Sequence, residues 1–170
     1  MSDRAHSDSA LVQFSERLTN SAAFGNLFRE GMDLVEETAA YLDGDGRTEA
    51  KALERSISLT YATESMRLTT RLMQMASWLL LHRAVKEGEM TLIQANREKT
   101  KVKLSAADPG PDDMLEKLPT QLQDLIARSM SLQARVRRLD TTIHAPPAER
   151  TAIGNPLVPQ LNRLKAAFEQ

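Results

Sequence analysis

The feature that most constrains the fold is an uninterrupted helical pattern over residues 47 to 87. At about 100° per residue, its apolar side chains fall into two stripes on nearly opposite sides of the helix. The first stripe consists of Ile57, Tyr61, Leu68, Leu72, Met75 and Leu79. The second stripe consists of Leu59, Ala62, Met66, Met73, Ala76, Leu80 and Ala84. A surface helix needs only one apolar stripe, so this helix is predicted to lie between two partners, the second being most simply another copy of the chain.

Two further long helices are predicted on either side of this one. A first helix is expected near residues 22–42, with Ser21 as its N-cap. Gly31 lies near its apolar stripe, where it either permits close approach of another helix or is a tolerated glycine. A third main helix is expected near residues 119–143, with a regular seam along one face. That seam consists of Leu122, Leu125, Ser129, Leu132, Val136, Leu139 and Ile143.

The predicted fold is therefore all-α: an antiparallel three-helix bundle with one long central helix, dimeric, over residues 21–143. A short helix, capped by Thr91 and running to about Lys101, follows the central helix, and an exposed linker is expected at about 104–113 because of its Pro and Gly residues. Residues 1–20 are predicted to form a flexible arm, and residues 144–170 a mobile tail.

The predicted tail carries a short amphipathic pattern. Leu157, Leu161, Leu164 and Phe168 would share one face of a short helix. This helix either docks on the bundle or folds on a partner. The Pro-rich residues before it favour the second interpretation, in which these four residues bind a partner.

Composition excludes several classes of function. The formal net charge of −1 argues against nucleic-acid binding through bulk positive charge. The chain has no cysteine, so disulfides and thiolate metal sites are excluded. The polar N-terminus lacks the apolar stretch of a signal peptide, and the strongly apolar run at 78–81 is far too short to span a bilayer. A cytoplasmic protein with no membrane partner is expected.

No catalytic, cofactor or metal site is predicted. Asp43, Asp45 and Glu54 have the spacing of three calcium-loop ligands, but Thr48 stands where such a loop needs glycine. A turn between helices is the better interpretation of this segment. His82 is the only histidine on a core helix, and no His, Asp or Glu shares its turn at metal-ligand spacing. It is expected to be a surface or edge residue.

A polar patch interrupts the apolar pattern of the central helix. Glu64, Ser65, Arg67 and Arg71 lie close together beside the first stripe. The patch is either a buried ion pair or a surface that binds a partner.

Two long segments resemble a known family. They are FREGMDLVEETAAYLDGDGR, residues 28–47, and SMRLTTRLMQMASWLLLHRAVKEGE, residues 65–89. Both are similar to the RcdA family, the regulators of CtrA degradation in alphaproteobacteria. The similarity extends over roughly residues 20–143.

The resemblance implies a homodimeric three-helix bundle with a mobile C-terminal tail. It also implies a non-enzymatic adaptor, without cofactors, that joins the ATP-dependent protease ClpXP to cell-cycle substrates together with a receiver-domain protein. Recruitment to a cell pole is a further expectation. The alternative is a dimeric helical scaffold or regulatory module with a different partner. The expected dimer interface consists of Leu59, Met66, Met73, Ala76 and Leu80.

Overall fold

The computed structural model describes Arg17 and residues 21–99 and 110–144. Within these ranges the chain forms helices and no strand, as predicted for an all-α protein. The helices are α1 Ala22–Asp43, α2 Asp45–Ala52, α3 Arg55–Lys86, α4 Leu92–Lys99, α5 Asp112–Leu115 and α6 Thr120–His144. The predicted arm lies outside the described residues except for Arg17, and the predicted tail lies outside them beyond His144.

The core is built from the stripes that the sequence predicts. Ser21 caps α1 as expected, because its Oγ accepts a hydrogen bond from the Phe24 backbone N–H at 3.2 Å. All six residues of the first stripe of α3 are buried. The seam of α6 is buried too, except for Leu139, which is partly buried. Three long helices therefore share one apolar interior, with Trp78 fully enclosed in it.

The prediction of one helix over residues 47–87 is wrong at its start. The chain breaks into α2 and α3 at Leu53, which has an extended backbone with φ −77° and ψ 147°. Neither glycine nor proline marks this break, so packing explains it better than local preference. α2 is held against the end of α1, where the Tyr41 hydroxyl donates to Glu49 Oε2 at 2.7 Å. Ala50 and Leu53 also pack against the core, so α3 begins on a new axis.

The helices are not all antiparallel. α1 runs against α6, since Glu30 pairs with Arg135 and Glu37 with Arg128. α3 and α6, however, run in the same direction, because their contacts advance together along both helices. These contacts are Arg71–Ser129, Trp78–Asp140 and His82–His144. The antiparallel prediction is therefore wrong for this pair.

Because α3 and α6 run in the same direction, the chain must return to the other end of the bundle between them, and the described parts of this connection include α4, Gly110 and α5. α4 begins with a capping box: the Gln94 N–H donates to Thr91 Oγ1 at 3.2 Å, and the Thr91 N–H donates to Gln94 Oε1 at 2.9 Å. In the described part of the expected linker at 104–113, Pro111, Asp112 and Asp113 are exposed as predicted. The prediction is wrong in two respects: Gly110 is half-buried against α3, and a helix, α5, starts at Asp112.

Candidate protein-interaction surface

The second stripe of α3 is exposed. Its large side chains keep most of their surface accessible: Leu59 71 %, Met66 72 %, Met73 66 % and Leu80 52 %. Ala76 lies among them and is half-buried. The four large residues recur every seven positions and extend over about 30 Å of helix. Exposed apolar surface of this size on one helix face is typical of a protein-interaction site.

Two hydroxyl side chains beside the second stripe, those of Thr63 and Ser77, already form hydrogen bonds within α3. Several hydroxyls bond within the helix, to the carbonyl four residues earlier. Thr63 Oγ1 donates to the Leu59 carbonyl at 3.0 Å, and Ser77 Oγ donates to the Met73 carbonyl at 2.9 Å. An apolar partner can therefore cover this face without leaving these hydroxyl donors without an acceptor.

A shallow apolar groove between α1 and α3 continues the second stripe. It shares Met73 and Ala76 with that stripe. Thr38 lies in its wall, and its buried Oγ1 has no hydrogen-bond partner among the described residues. The other lining residues are Val35, Ala39, Leu42, Asp43, Thr69 and Leu72. The groove and the stripe together form one apolar surface.

The polar patch faces the interior. Glu64 Oε1 accepts hydrogen bonds from Arg67 Nη1 at 2.5 Å and from the Gly110 backbone N–H at 3.0 Å. Arg71 is buried and donates from Nη1 to Ser129 Oγ at 2.8 Å. The patch thus joins α3 to the segment before α5 and to α6. Glu64 is buried while the Arg67 side chain is 33 % exposed, so of the two interpretations the ion pair fits this geometry, although it is only partly buried.

The expectation that His82 is a surface or edge residue is wrong. Its side chain is fully buried, and its ring stacks on Trp78 with 4.0 Å between the ring centroids. Burial lowers the pKa of His82, and the hydrogen bond to the Trp78 carbonyl and the charge of Asp140 oppose this lowering, while nearby Lys99 adds a smaller lowering effect. His82 also lies against His144, 62 residues away. Local spacing could not show this contact, because it depends on how α3 and α6 pair.

Two charged pairs link α1 to α6 across the outside of the bundle. Arg128 binds Glu37 through both guanidinium nitrogens, at 2.8 and 2.7 Å, and Arg135 binds Glu30 in the same way. Hydrogen bonds from these arginines lower the pKa of both carboxyls. The pairs connect α1 to α6 on the exposed side of the bundle.

Comparison with known proteins shows similarity to a protein family and to a solved structure. Residues 15–168 match the family described as "Protein of unknown function (DUF1465)". The crystal structure of RcdA from Caulobacter crescentus CB15 is 49 % identical in sequence, with a TM-score of 0.64. The alignment covers 77 % of this chain and 98 % of that one.

Two negative findings complete the comparison. No curated protein matches the chain. Among the described residues, no helix combines the length and apolar character that crossing a membrane would require.

The helical fold, the sequence identity and the match over nearly the whole chain together show that this protein belongs to the RcdA family.

Proposed function

We propose that this protein is a non-enzymatic adaptor that delivers cell-cycle regulatory proteins to the ATP-dependent protease ClpXP. The observation that carries the proposal is the exposed apolar surface of α3, in a chain of the RcdA family. An adaptor needs surfaces that bind other proteins and no converging catalytic groups. In this proposal it acts in the cytoplasm, is recruited to a cell pole, and works with a receiver-domain protein bound to the protease.

The adaptor is proposed to act as a homodimer. Leu59, Met66, Met73, Ala76 and Leu80 form the core of the interface, on α3 of each protomer. The four large side chains, Leu59, Met66, Met73 and Leu80, are exposed in one copy and recur every seven residues, which suits the packing of one helix against another. The alternative function is a dimeric helical scaffold or regulatory module with a different partner.

The direct test of the adaptor function is a degradation assay. Purified protease, ATP, the receiver-domain protein and a candidate substrate are incubated with and without this protein. We expect faster loss of the substrate at substoichiometric adaptor, with the adaptor itself remaining intact. A dimer that binds the substrate without accelerating its degradation would instead support the scaffold.

The dimer is tested by charge substitution. Met73→Asp and Leu80→Asp should each give a soluble monomer, because both residues are exposed in one copy while a carboxylate cannot be buried unpaired in an interface. Met130→Asp is the matched control, since Met130 is an exposed methionine on α6, away from the stripe. It should leave the dimer intact. Light scattering measures the mass, and two stripe variants that remain dimers would exclude this interface.

A further inference from the structure

Two pairs of residues meet at one end of the bundle. Trp78 and His82 lie four residues apart on α3, and Asp140 and His144 lie four residues apart on α6, so each pair shares a helix face. Because α3 and α6 run in the same direction, the pairs come together. His82 Nε2 lies 2.9 Å from His144 Nε2, and Asp140 Oδ1 lies 3.7 Å from the same His144 atom.

The tautomer of His82 is fixed by its backbone contact. Its Nδ1 lies 2.9 Å from the Trp78 carbonyl oxygen, which can only accept a hydrogen bond. Nδ1 therefore carries the hydrogen, and in the neutral ring Nε2 presents its lone pair to the space between the two helices. A histidine that ligates a metal through Nε2 is typically held in this way through Nδ1.

Trp78 also orients the carboxylate. Its indole Nε1–H donates to Asp140 Oδ1 at 2.8 Å, while Lys99 Nζ lies 2.8 Å from Asp140 Oδ2. Oδ1 retains a second lone pair. The same residue thus holds two potential ligands, one through its carbonyl and the other through its indole. Such supporting contacts are the usual second layer of a metal site.

We propose that His82, His144 and Asp140 bind a Zn²⁺ ion through Nε2, Nε2 and Oδ1, with water as the fourth ligand. Nitrogen and oxygen ligands without thiolate suit zinc. The ligand atoms of the three residues lie within 4.8 Å of one another. Two nitrogens on tetrahedral zinc are about 3.3 Å apart, given Zn–N bonds of about 2.0–2.1 Å. The two Nε2 atoms therefore need to separate by a few tenths of an ångström, and the rings must turn so that both lone pairs point at the shared ion instead of at each other.

The proposed ion joins the last turn of α6 to α3. His144 is the final residue of α6, so a small movement of its ring opens the site. Binding moves the His144 hydrogen from Nε2 to Nδ1, because Nε2 must then face the metal. Zinc would thus hold the C-terminal end of α6 against α3. This inference does not depend on the adaptor function.

The competing explanation is a hydrogen bond between two neutral imidazoles, with His144 Nε2–H donating to His82. Metal titration separates the two. Full-length protein without a histidine tag is stripped with a chelator and titrated with ZnCl₂ by calorimetry. We expect saturation at one equivalent. Trp78 is the only tryptophan and stacks on His82, so paramagnetic Ni²⁺ should quench its fluorescence with the same stoichiometry.

Three variants locate the site. His144→Gln and Asp140→Asn should each weaken Zn²⁺ binding by at least about tenfold and reduce the Ni²⁺ quenching, with helical content unchanged by circular dichroism. His6→Gln, at the one histidine outside this cluster, should bind as the unmodified protein does. Absence of saturable binding, or unchanged affinity in both cluster variants, would overturn the proposal. Loss of binding in His6→Gln would show adventitious binding and overturn it as well.

Discussion

At the scale of single residues, a close contact between helices in the core depends on a missing side chain. A Cβ atom placed on Gly31 would lie 2.5 Å from Leu79 Cδ1 and 3.7 Å from Leu132 Cδ2. Leu79 and Leu132 are both fully buried, so neither can move freely. Of the two interpretations of Gly31, close helix approach fits this geometry. Gly25, on the same helix, has nothing within 4 Å of the corresponding position.

Alanine substitutions at these two glycines should therefore have opposite effects. Gly25→Ala should raise the free energy of unfolding by about 0.5–1 kcal/mol, because it only restricts the unfolded backbone. Gly31→Ala restricts the unfolded backbone to the same extent, but its added methyl group must displace Leu79. Such overpacking costs about 1–3 kcal/mol. We expect a net loss of up to about 2 kcal/mol. Urea unfolding of both variants measures this, and equal stabilisation at the two positions would contradict the close contact.

At the scale of helices, the pairs Glu30–Arg135 and Glu37–Arg128 connect α1 to α6. The carboxyls have pKa values lowered from 4.5 by their arginine partners. A lowered folded-state pKa gives stability that is present above the unfolded value near 4.5. That stability is lost as the pH falls from there through the lower folded value. The side chains of Glu30 and Glu37 are 48 % and 41 % exposed, so each pair should contribute less than about 1 kcal/mol.

Removing both carboxylates tests this pH dependence. Glu30→Gln/Glu37→Gln should unfold more easily than the unmodified protein at pH 7, and the difference should shrink as the pH falls from 4.5 through the lowered folded-state pKa values of the two carboxyls. High salt should also reduce the difference. Glu36→Gln is the control, as Glu36 is exposed on the same helix. A difference that persists at low pH would mean that the glutamates act through packing.

Periodicity predicts which faces are buried, and for these helices it does so well. It identifies the first stripe of α3 and the seam of α6, because burial of apolar area depends mainly on side-chain type and angle around the helix. Periodicity does not give helix direction. The parallel run of α3 and α6 follows from the return of the chain between them, and the break at Leu53 follows from the packing of α2. Neither leaves a local signal.

The sequence predicts one of the two candidate sites and does not predict the other. The second stripe is recognisable in the sequence because all its residues belong to one helix. The contact of His82 with His144 is not, because its two halves lie on helices 62 residues apart. The i, i+4 spacing of Asp140 and His144 is a weak signal by itself. Asp140 and His144 form a cluster with His82 only because α6 packs beside α3.

At the scale of the whole molecule, the described bundle is predicted to be stable without the segment that follows it. Truncation after His144 keeps every described contact, so the melting temperature should change little. The same truncation should abolish delivery of at least one substrate, because Leu157, Leu161, Leu164 and Phe168 are proposed to bind a partner. If these residues instead dock on the bundle, losing each buried Leu would cost about 2–5 kcal/mol at most. A sharply lower melting temperature with normal delivery would show that docking.

The shared direction of α3 and α6 has an electrostatic consequence. Peptide dipoles add along each helix and leave about half a negative charge at its C-terminal end. In an antiparallel pair these ends lie apart, but here the ends at Lys86 and His144 lie on the same side of the bundle. The two partial charges reinforce each other around His82 and Asp140. This end of the molecule therefore attracts cations even before the side-chain charges are considered. The Lys99 ammonium group lies there, 2.8 Å from Asp140 Oδ2.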